Sequence, residues 1–276
     1  MLADEVFMST TDIVVMGARG RMGQMVLAAC SRRLKSEPGS LRVLAGVEAP
    51  GRVGPGETTT VEDLQVPLTD NVAAAVKPGS VIIDFTSPAA SLAALEAAVK
   101  VGAAHVLCTT GFQEEEKARI QSASAHIPIL MAPNMSLGVT LLFKVTEMVA
   151  KTLGDDFDVE IIEAHHNQKK DAPSGTALGF AEAVARGHAV NLSEKANYGR
   201  EGLPGARPKG EIGIHAVRGG DIVGDHIVLF AGDGERIEIK HMAHSRMTFA
   251  QGALRAACWL RGRAPGLYTM NDVLGL

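Results

Sequence analysis

From Asp12 to Asn134 the chain alternates short apolar runs with segments of helical apolar spacing, and no other feature constrains the fold as much. The runs IVVM from Ile13, LRVLAGV from Leu41, VIIDF from Val81, HVL from His105 and IPILM from Ile127 are continuous rather than alternating. Strands read that way when helices cover both faces of a parallel sheet. The intervening QMVLAACSRRL, PAASLAALEAAVKV and QEEEKARIQSASA carry helical spacing, so the expected architecture is α/β, with an N-terminal Rossmann-like doubly wound parallel sheet. The second run stops at Glu48, and PGRVGPGETT after it is rich in Gly and Pro and reads as loop.

Beyond Asn134 the rhythm changes. SLGVTLLFKVTEMVAKTLG predicts one long helix, and FDVEIIEAHH, EIGIHAVR, DHIVLFAG and ERIEIKHMAH predict four strands, the last three separated by short Gly-rich turns. GDGE before Arg236 signals a hairpin, Asn191 to Gly210 a long loop, and SRMTFAQGALRAACWLRGR a return to helix. A C-terminal α+β domain with a mixed, largely antiparallel sheet is therefore expected, with a boundary near Asn134 to Ser136.

Twenty-seven basic residues against 31 acidic ones give a net charge of -4, so no global positive field exists to hold a nucleic-acid backbone. The three cysteines, Cys30, Cys108 and Cys258, form no CxxC pair, which argues for a reducing compartment, the cytoplasm. MLADEVFMSTTD lacks the basic start of a signal peptide and reads as a short disordered lead. No run of eighteen apolar residues is present to engage a membrane.

Gly17, Gly20 and Gly23 are spaced GxxGxxG between a strand and a helix, the context of a pyrophosphate-binding turn. Without side chains the backbone N–H groups can approach phosphates at the positive end of the helix dipole, and Arg19 and Arg21 add charge there. The same glycines would equally make a tight βα turn with no ligand. Glu48, ending the second strand, has the acceptors for ribose hydroxyls and would repel a 2′-phosphate, so NADH is expected to serve at least as well as NADPH, with Arg21 and Arg52 softening that preference. CTTGF from Cys108 and APNMS from Ala132 follow the fourth and fifth strands, where doubly wound sheets bind ligands.

Glu160 to Ala177, EIIEAHHNQKKDAPSGTA, holds the densest polar cluster, with a Pro-Ser-Gly turn into a helix. Gly175 and Thr176 fall in the first helical turn, suited to a carboxylate, so an anionic substrate is implied. His165 and Lys169 are four apart, which places them on one side of a helix at about 6 Å or of a strand at about 13 Å. A histidine that exchanges protons near neutrality beside a fixed ammonium suits reduction of an anionic, proton-requiring substrate. The rival metal reading would have to recruit Glu163 and Asp171 without any HExxH or nearby cysteine, so no metal is expected. The other histidines, at 105, 126, 188, 215, 226, 241 and 244, are scattered and read as structural.

The Glu160–Ala177 tract resembles the signature of the 4-hydroxy-tetrahydrodipicolinate reductase family, joined by GARGRMG, CTTGF, APNMSLGV, VRGGDIVGDHIVLF and SRMTFAQGA. The resemblance covers nearly the whole chain. It implies NAD(P)H-dependent reduction of a small dicarboxylate in the diaminopimelate and lysine pathway, with His165 and Lys169 catalytic and His166, Gly175 and Thr176 binding substrate. It implies cofactor contacts at Gly17, Ala18, Arg19, Gly20, Arg21, Met22, Glu48, Cys108, Thr109, Thr110, Ala132, Pro133, Asn134 and Met135. It also implies a dinucleotide-binding domain over 1–136 completed by 247–276, a substrate-binding and oligomerisation domain over 137–246, and a homotetramer. Two departures stand out: Cys108 replaces a common glycine, and Ala49 follows Glu48 where some relatives carry arginine, which weakens the case for NADPH. A dehydrogenase of another oxo or hydroxy acid would share the glycine turn but not the histidine tract, and a nicotinamide-sensing regulator would want a basic DNA-binding module that is absent.

Overall fold

The structure is a computed structural model and describes residues 10–276, so the expected disordered lead falls, through residue 9, outside the described residues. Two compact units emerge: one runs to Met135 and resumes over Met247–Gly275, and the other is Ser136–Arg246.

The first unit is an eight-stranded sheet in the order β13-β7-β6-β5-β1-β2-β4-β3. Its parallel strands are β1 (Thr11–Met16), β2 (Leu41–Val47), β4 (Leu64–Thr69), β5 (Val81–Asp84), β6 (Ala104–Leu107), β7 (Pro128–Met131) and β13 (Gly266–Tyr268). Order reverses between β1 and β5, because β1 leads outward to β2 on one side while β5 starts the other half. Such a switch point opens a crevice at the carboxyl ends of the strands. Ile13, Val14, Val81, Ile82 and Ile83 are fully buried, consistent with helices on both faces. At about 1.5–3 kcal/mol per buried aliphatic side chain, these strands hold the unit together. On one side α1 (Arg21–Ser36) packs with α8 (Met247–Leu260). On the other, α2 (Val72–Ala75), α3 (Pro88–Val101) and α4 (Glu114–Ala123) pack in series.

The loop expected over PGRVGPGETT is too long by two residues, because Thr58 and Thr59 open β3 (Thr58–Val61), antiparallel to β4. The β-branched TTTV and the alternating LQVPLT pair across a two-residue turn in which Glu62 takes φ 52°. This hairpin extends the sheet beyond β2. The C-terminal β13 and α9 (Met270–Leu274) complete the other edge.

The second unit begins with the long helix expected, α5 (Leu137–Leu153), capped by Ser136 Oγ accepting from Val139 N. It continues through β8 (Asp158–His165), α6 (Gly175–Gly187), β10 (Ile212–Arg218), β11 (Asp225–Gly232) and β12 (Glu235–Met242). The expected loop from Asn191 to Gly210 contains one helical turn, α7 (Leu192–Lys195), and a two-residue strand, β9 (Ala196–Asn197). The sheet order is β12-β11-β8-β10-β9, with β10 parallel to β8 and β11 antiparallel to both β8 and β12. Val159, Ile161, Ile214, Val228 and Phe230 form one buried face against Ala177, Phe180, Ala181 and Val184 of α6. That packing fixes the end of β8 beside the start of α6.

Candidate active site

In the first unit, every tract expected to touch a nucleotide follows the carboxyl end of a parallel strand. Gly17 takes φ +60°, where a side chain would be strained, and a Cβ there would lie 3.0 Å from Thr86 Cγ2. A Cβ on Gly23 would approach the Gly17 carbonyl oxygen to 2.1 Å, so the turn and the helix close on each other only because that residue is glycine. Helix α1, with Gly20 at its N-cap, has no side-chain cap and no acid in its first turn, which leaves its positive end open. Glu48 Oε1 accepts from Arg19 N at 2.6 Å, bringing the end of β2 to the turn. The Arg19 guanidinium is drawn onto Arg52 O at 3.3 Å and Glu57 Oε2 at 3.1 Å.

Sequence reasoning passed over the loop after β5. Asp84 is completely buried, and its Oδ1 accepts from Thr86 N at 2.8 Å, Thr86 Oγ1 at 2.6 Å and Thr109 Oγ1 at 3.3 Å. One carboxylate thus braces the loops after β5 and β6. Burial would raise its pKa, but the facing His105 imidazole and the hydroxyls hold it below the ordinary range. Cys108, Thr109, Ala132 and Met135 are buried, whereas Thr110 and Pro133 are exposed at the rim and Asn134 is half-buried. Gathered at these strand ends are an uncapped helix start, a side-chain-free turn and a carboxylate at the second strand, group types suited to a pyrophosphate and a ribose.

In the second unit, the expectation that His165 and Lys169 share one helix or strand does not hold. His165 is the last residue of β8 and Lys169 lies in the turn beyond it, because Lys169 N bonds back to His166 O at 3.1 Å. The His166 N–H donates to Ile222 O at 2.7 Å. His165 is 8% exposed. Its Nδ1 lies 2.6 Å from Glu163 Oε2. Arg218, from β10, forks onto both oxygens of Glu163 at 2.7 and 2.9 Å, and Ser174 N donates to Oε1 at 3.0 Å. Ser174 caps α6 by accepting from Ala177 N at 3.1 Å, and its Oγ also lies 2.9 Å from His226 Nε2. The His226 ring packs edge-on against His165 with centroids 5.2 Å apart. Lys169 Nζ is held by both oxygens of Asp171, at 3.0 and 2.9 Å.

The electrostatics follow from burial and these partners. Burial lowers the pKa of His165, Glu163 pulls it up, and Lys169 and Arg218 push it down; the balance lies below the ordinary histidine value. Burial, with His165 adding, pushes His226 down to about 3, so its ring is neutral at any working pH. For Glu163, the Arg218 and His165 hydrogen bonds overcome the upward effect of burial and keep it ionised. The start of α6, the His165 imidazole and the Lys169 ammonium are therefore linked through Glu163, Arg218 and Asp171, and they are the group types that bind an anion and hand it a proton.

The structure brings His165, Gly175 and Thr176 to neighbouring elements through the β8–α6 packing. The supporting residues Arg218 and His226 were not singled out, since they lie 53 and 61 residues from His165 in sequence; the one available signal was their place at the end of β10 and the start of β11, within VRGGDIVGDHIVLF. Glu163, considered only as a metal ligand, has its oxygens taken by His165, Arg218 and Ser174. Among the described residues no group of three or more His, Cys, Asp or Glu is arranged to hold a metal ion.

Residues 11–135 match the family model described as dihydrodipicolinate reductase, N-terminus, and residues 138–274 match dihydrodipicolinate reductase, C-terminus. The chain is 50% identical to a 4-hydroxy-tetrahydrodipicolinate reductase of Hahella chejuensis over 96% of its own length and 99% of that protein's. A second 4-hydroxy-tetrahydrodipicolinate reductase, from Thiobacillus denitrificans, is also 50% identical, over 96% and 98%. Among solved structures, a dipicolinate-bound dihydrodipicolinate reductase from Paenisporosarcina sp. TG-14 superposes with a TM-score of 0.72 at 26% identity, covering 95% of this chain and 98% of that one.

Proposed function

The chain belongs to the dihydrodipicolinate reductase family, and from that premise we propose that His165 and Lys169 supply the proton chemistry while the start of α6 holds a substrate carboxylate. It is an NAD(P)-dependent oxidoreductase that reduces 4-hydroxy-tetrahydrodipicolinate to tetrahydrodipicolinate and water, a step of diaminopimelate and lysine biosynthesis. The observation that carries the site assignment is His165 at the end of β8, hydrogen-bonded through Nδ1 to Glu163, whose other oxygen accepts from Ser174 N at the cap of α6.

Residues 1–136 with 247–276 form the dinucleotide-binding domain in this reading, and residues 137–246 take the substrate and the subunit contacts. Gly17 to Met22 hold the pyrophosphate, Glu48 the adenosine ribose, and Cys108 to Thr110 with Ala132 to Met135 line the nicotinamide end. The reduced nicotinamide, when bound, supplies a hydride. His166, Gly175 and Thr176 fix the carboxylates. The substrate loses water to give a conjugated cyclic imine, and hydride addition leaves an enamine that must take up one proton. His165 Nε2 offers that proton, and the Lys169 ammonium offsets the negative charge that builds up in the transition state. Lys169 is tethered to Asp171, so it acts as a fixed cation at the rim.

NADH serves at least as well as NADPH. Glu48 is fixed at the turn where a 2′-phosphate would come, and Arg19, the adjacent cation, is engaged by Glu57 and Arg52. The subunits form a homotetramer through the face of the second sheet that carries exposed Val217 and Met242, and the enzyme works in the cytoplasm, where its three free cysteines stay reduced. Loss of nicotinamide absorbance, with the substrate generated from pyruvate and aspartate semialdehyde, tests the reading in both nucleotides. Turnover that survives His165→Ala and Lys169→Ala undiminished, or a strong preference for NADPH, overturns the corresponding part.

A further inference from the structure

We infer that Glu163 is a positioning residue that sets the protonated nitrogen of His165 and, with the same carboxylate, fixes the start of α6. The inference rests on His165 being the proton donor. Glu163 is fully buried and its two oxygens accept four hydrogen bonds, with His165 Nδ1 and Arg218 on Oε2 and Arg218 and Ser174 N on Oε1. An ionised carboxylate can only accept, so Nδ1 carries a hydrogen in both forms of the imidazole. The proton that comes and goes is therefore on Nε2. That atom faces Gly224, where a Cβ would come within 3.0 Å of it, so the glycine keeps Nε2 uncovered.

Arg218 gives the pair its balance. An imidazole facing an unshared buried carboxylate would be held as a permanent cation, reluctant to release its proton. Here Arg218 takes the same oxygen as His165, at 2.7 Å, and so weakens the pull of Glu163 on the ring. The other charged or titratable groups acting on His165 are Lys169 from the following turn, itself held by Asp171, and the His226 ring from β11. Through Ser174 N the same carboxylate reaches the cap of α6. Acid and carboxylate clamp are in this way referred to one group, whose removal disturbs both.

Two substitutions distinguish this from a merely structural role because they move His165 in opposite directions. Glu163→Gln removes the anion, so the alkaline limb of kcat, where His165 loses its proton, shifts to lower pH and turnover falls at least about tenfold, part of the roughly 10² to 10⁴ a positioned acid contributes. Arg218→Gln frees the carboxylate, so the limb shifts to higher pH. Nucleotide affinity stays unchanged in both, and Glu163→Asp restores part of the limb. Ring-nitrogen NMR of histidine-labelled full-length protein reads the same quantity without turnover: neutral His165 carries its proton on Nδ1 in the wild type, and this preference is lost in Glu163→Gln. Limbs that move together or not at all, or a wild-type proton on Nε2, overturn the inference. Should either variant fail to fold, the wild-type tautomer decides. Unchanged turnover in His165→Ala with an Nδ1 proton present would instead defeat the catalytic reading and leave the tautomer assignment standing.

Discussion

In the reading proposed above, the turn around Gly17 and the tract around His165 each offer an anion the start of a helix, but what surrounds that start is built from different materials. The first uses backbone: Gly17, Gly20 and Gly23 fall within seven residues, and their missing side chains leave an uncapped helix start open. The second uses buried side-chain charge gathered from β8, the α6 cap, β10 and β11, spanning Glu163 to His226. A backbone site is steric and indifferent to pH, whereas a site of paired charges tunes protons and depends on them. Binding of a nucleotide asks for the former; proton delivery requires the latter.

The largest expected effect separates the two. Lys169→Ala, which removes a charge-stabilising cation, should lower kcat by roughly 10² to 10³ while nucleotide affinity holds; equal losses in both would erase the distinction. Next, Gly23→Ala forces a Cβ against the Gly17 carbonyl, and about 1–3 kcal/mol of overpacking should weaken nucleotide binding about ten- to a hundredfold, with binding of dipicolinate to the second unit unaffected, as calorimetry would report. A third test concerns pH. His226 is depressed to about 3 from an ordinary value near 6.5, so the unfolded chain binds the extra proton between those values. The stability this burial permits is complete above about pH 6.5 and is lost as pH falls toward 3; Glu163 and Glu160, the latter held at about 2, lose theirs in the same direction. The unfolding midpoint should therefore fall as pH drops from about 6.5 to 4, less steeply in His226→Gln, by roughly 2–4 °C for each kcal/mol involved. The smallest effect is at the rim of the backbone site: Glu48→Ala should raise NADPH use relative to NADH by about fivefold, the scale of one half-exposed charge worth about 1 kcal/mol.

Legibility follows the same division. The doubly wound sheet could be read because strand burial on both faces leaves continuous apolar runs, and the glycine turn because its determinants are local. The β3–β4 hairpin was lost under a Gly-Pro stretch, since TTTV and LQVPLT are short and half-exposed. His165 and Lys169 stood out by crowding, but their geometry did not: a turn beyond β8, not a continuing strand or helix, carries Lys169. Arg218 and His226 lie within VRGGDIVGDHIVLF, yet nothing local marks their role, because strand pairing, Arg218 opposite His165 in the β8–β10 register and His226 opposite Glu163 across β11, brings them in.

The central claim, a dianion clamped at the start of α6 with imidazole and ammonium beside it, is tested most directly by a crystal structure with dipicolinate and nucleotide bound. The account expects a carboxylate at the Gly175 and Thr176 N–H groups and His165 Nε2 directed at the ring. A ring bound elsewhere, or both cations turned away from it, would contradict the account.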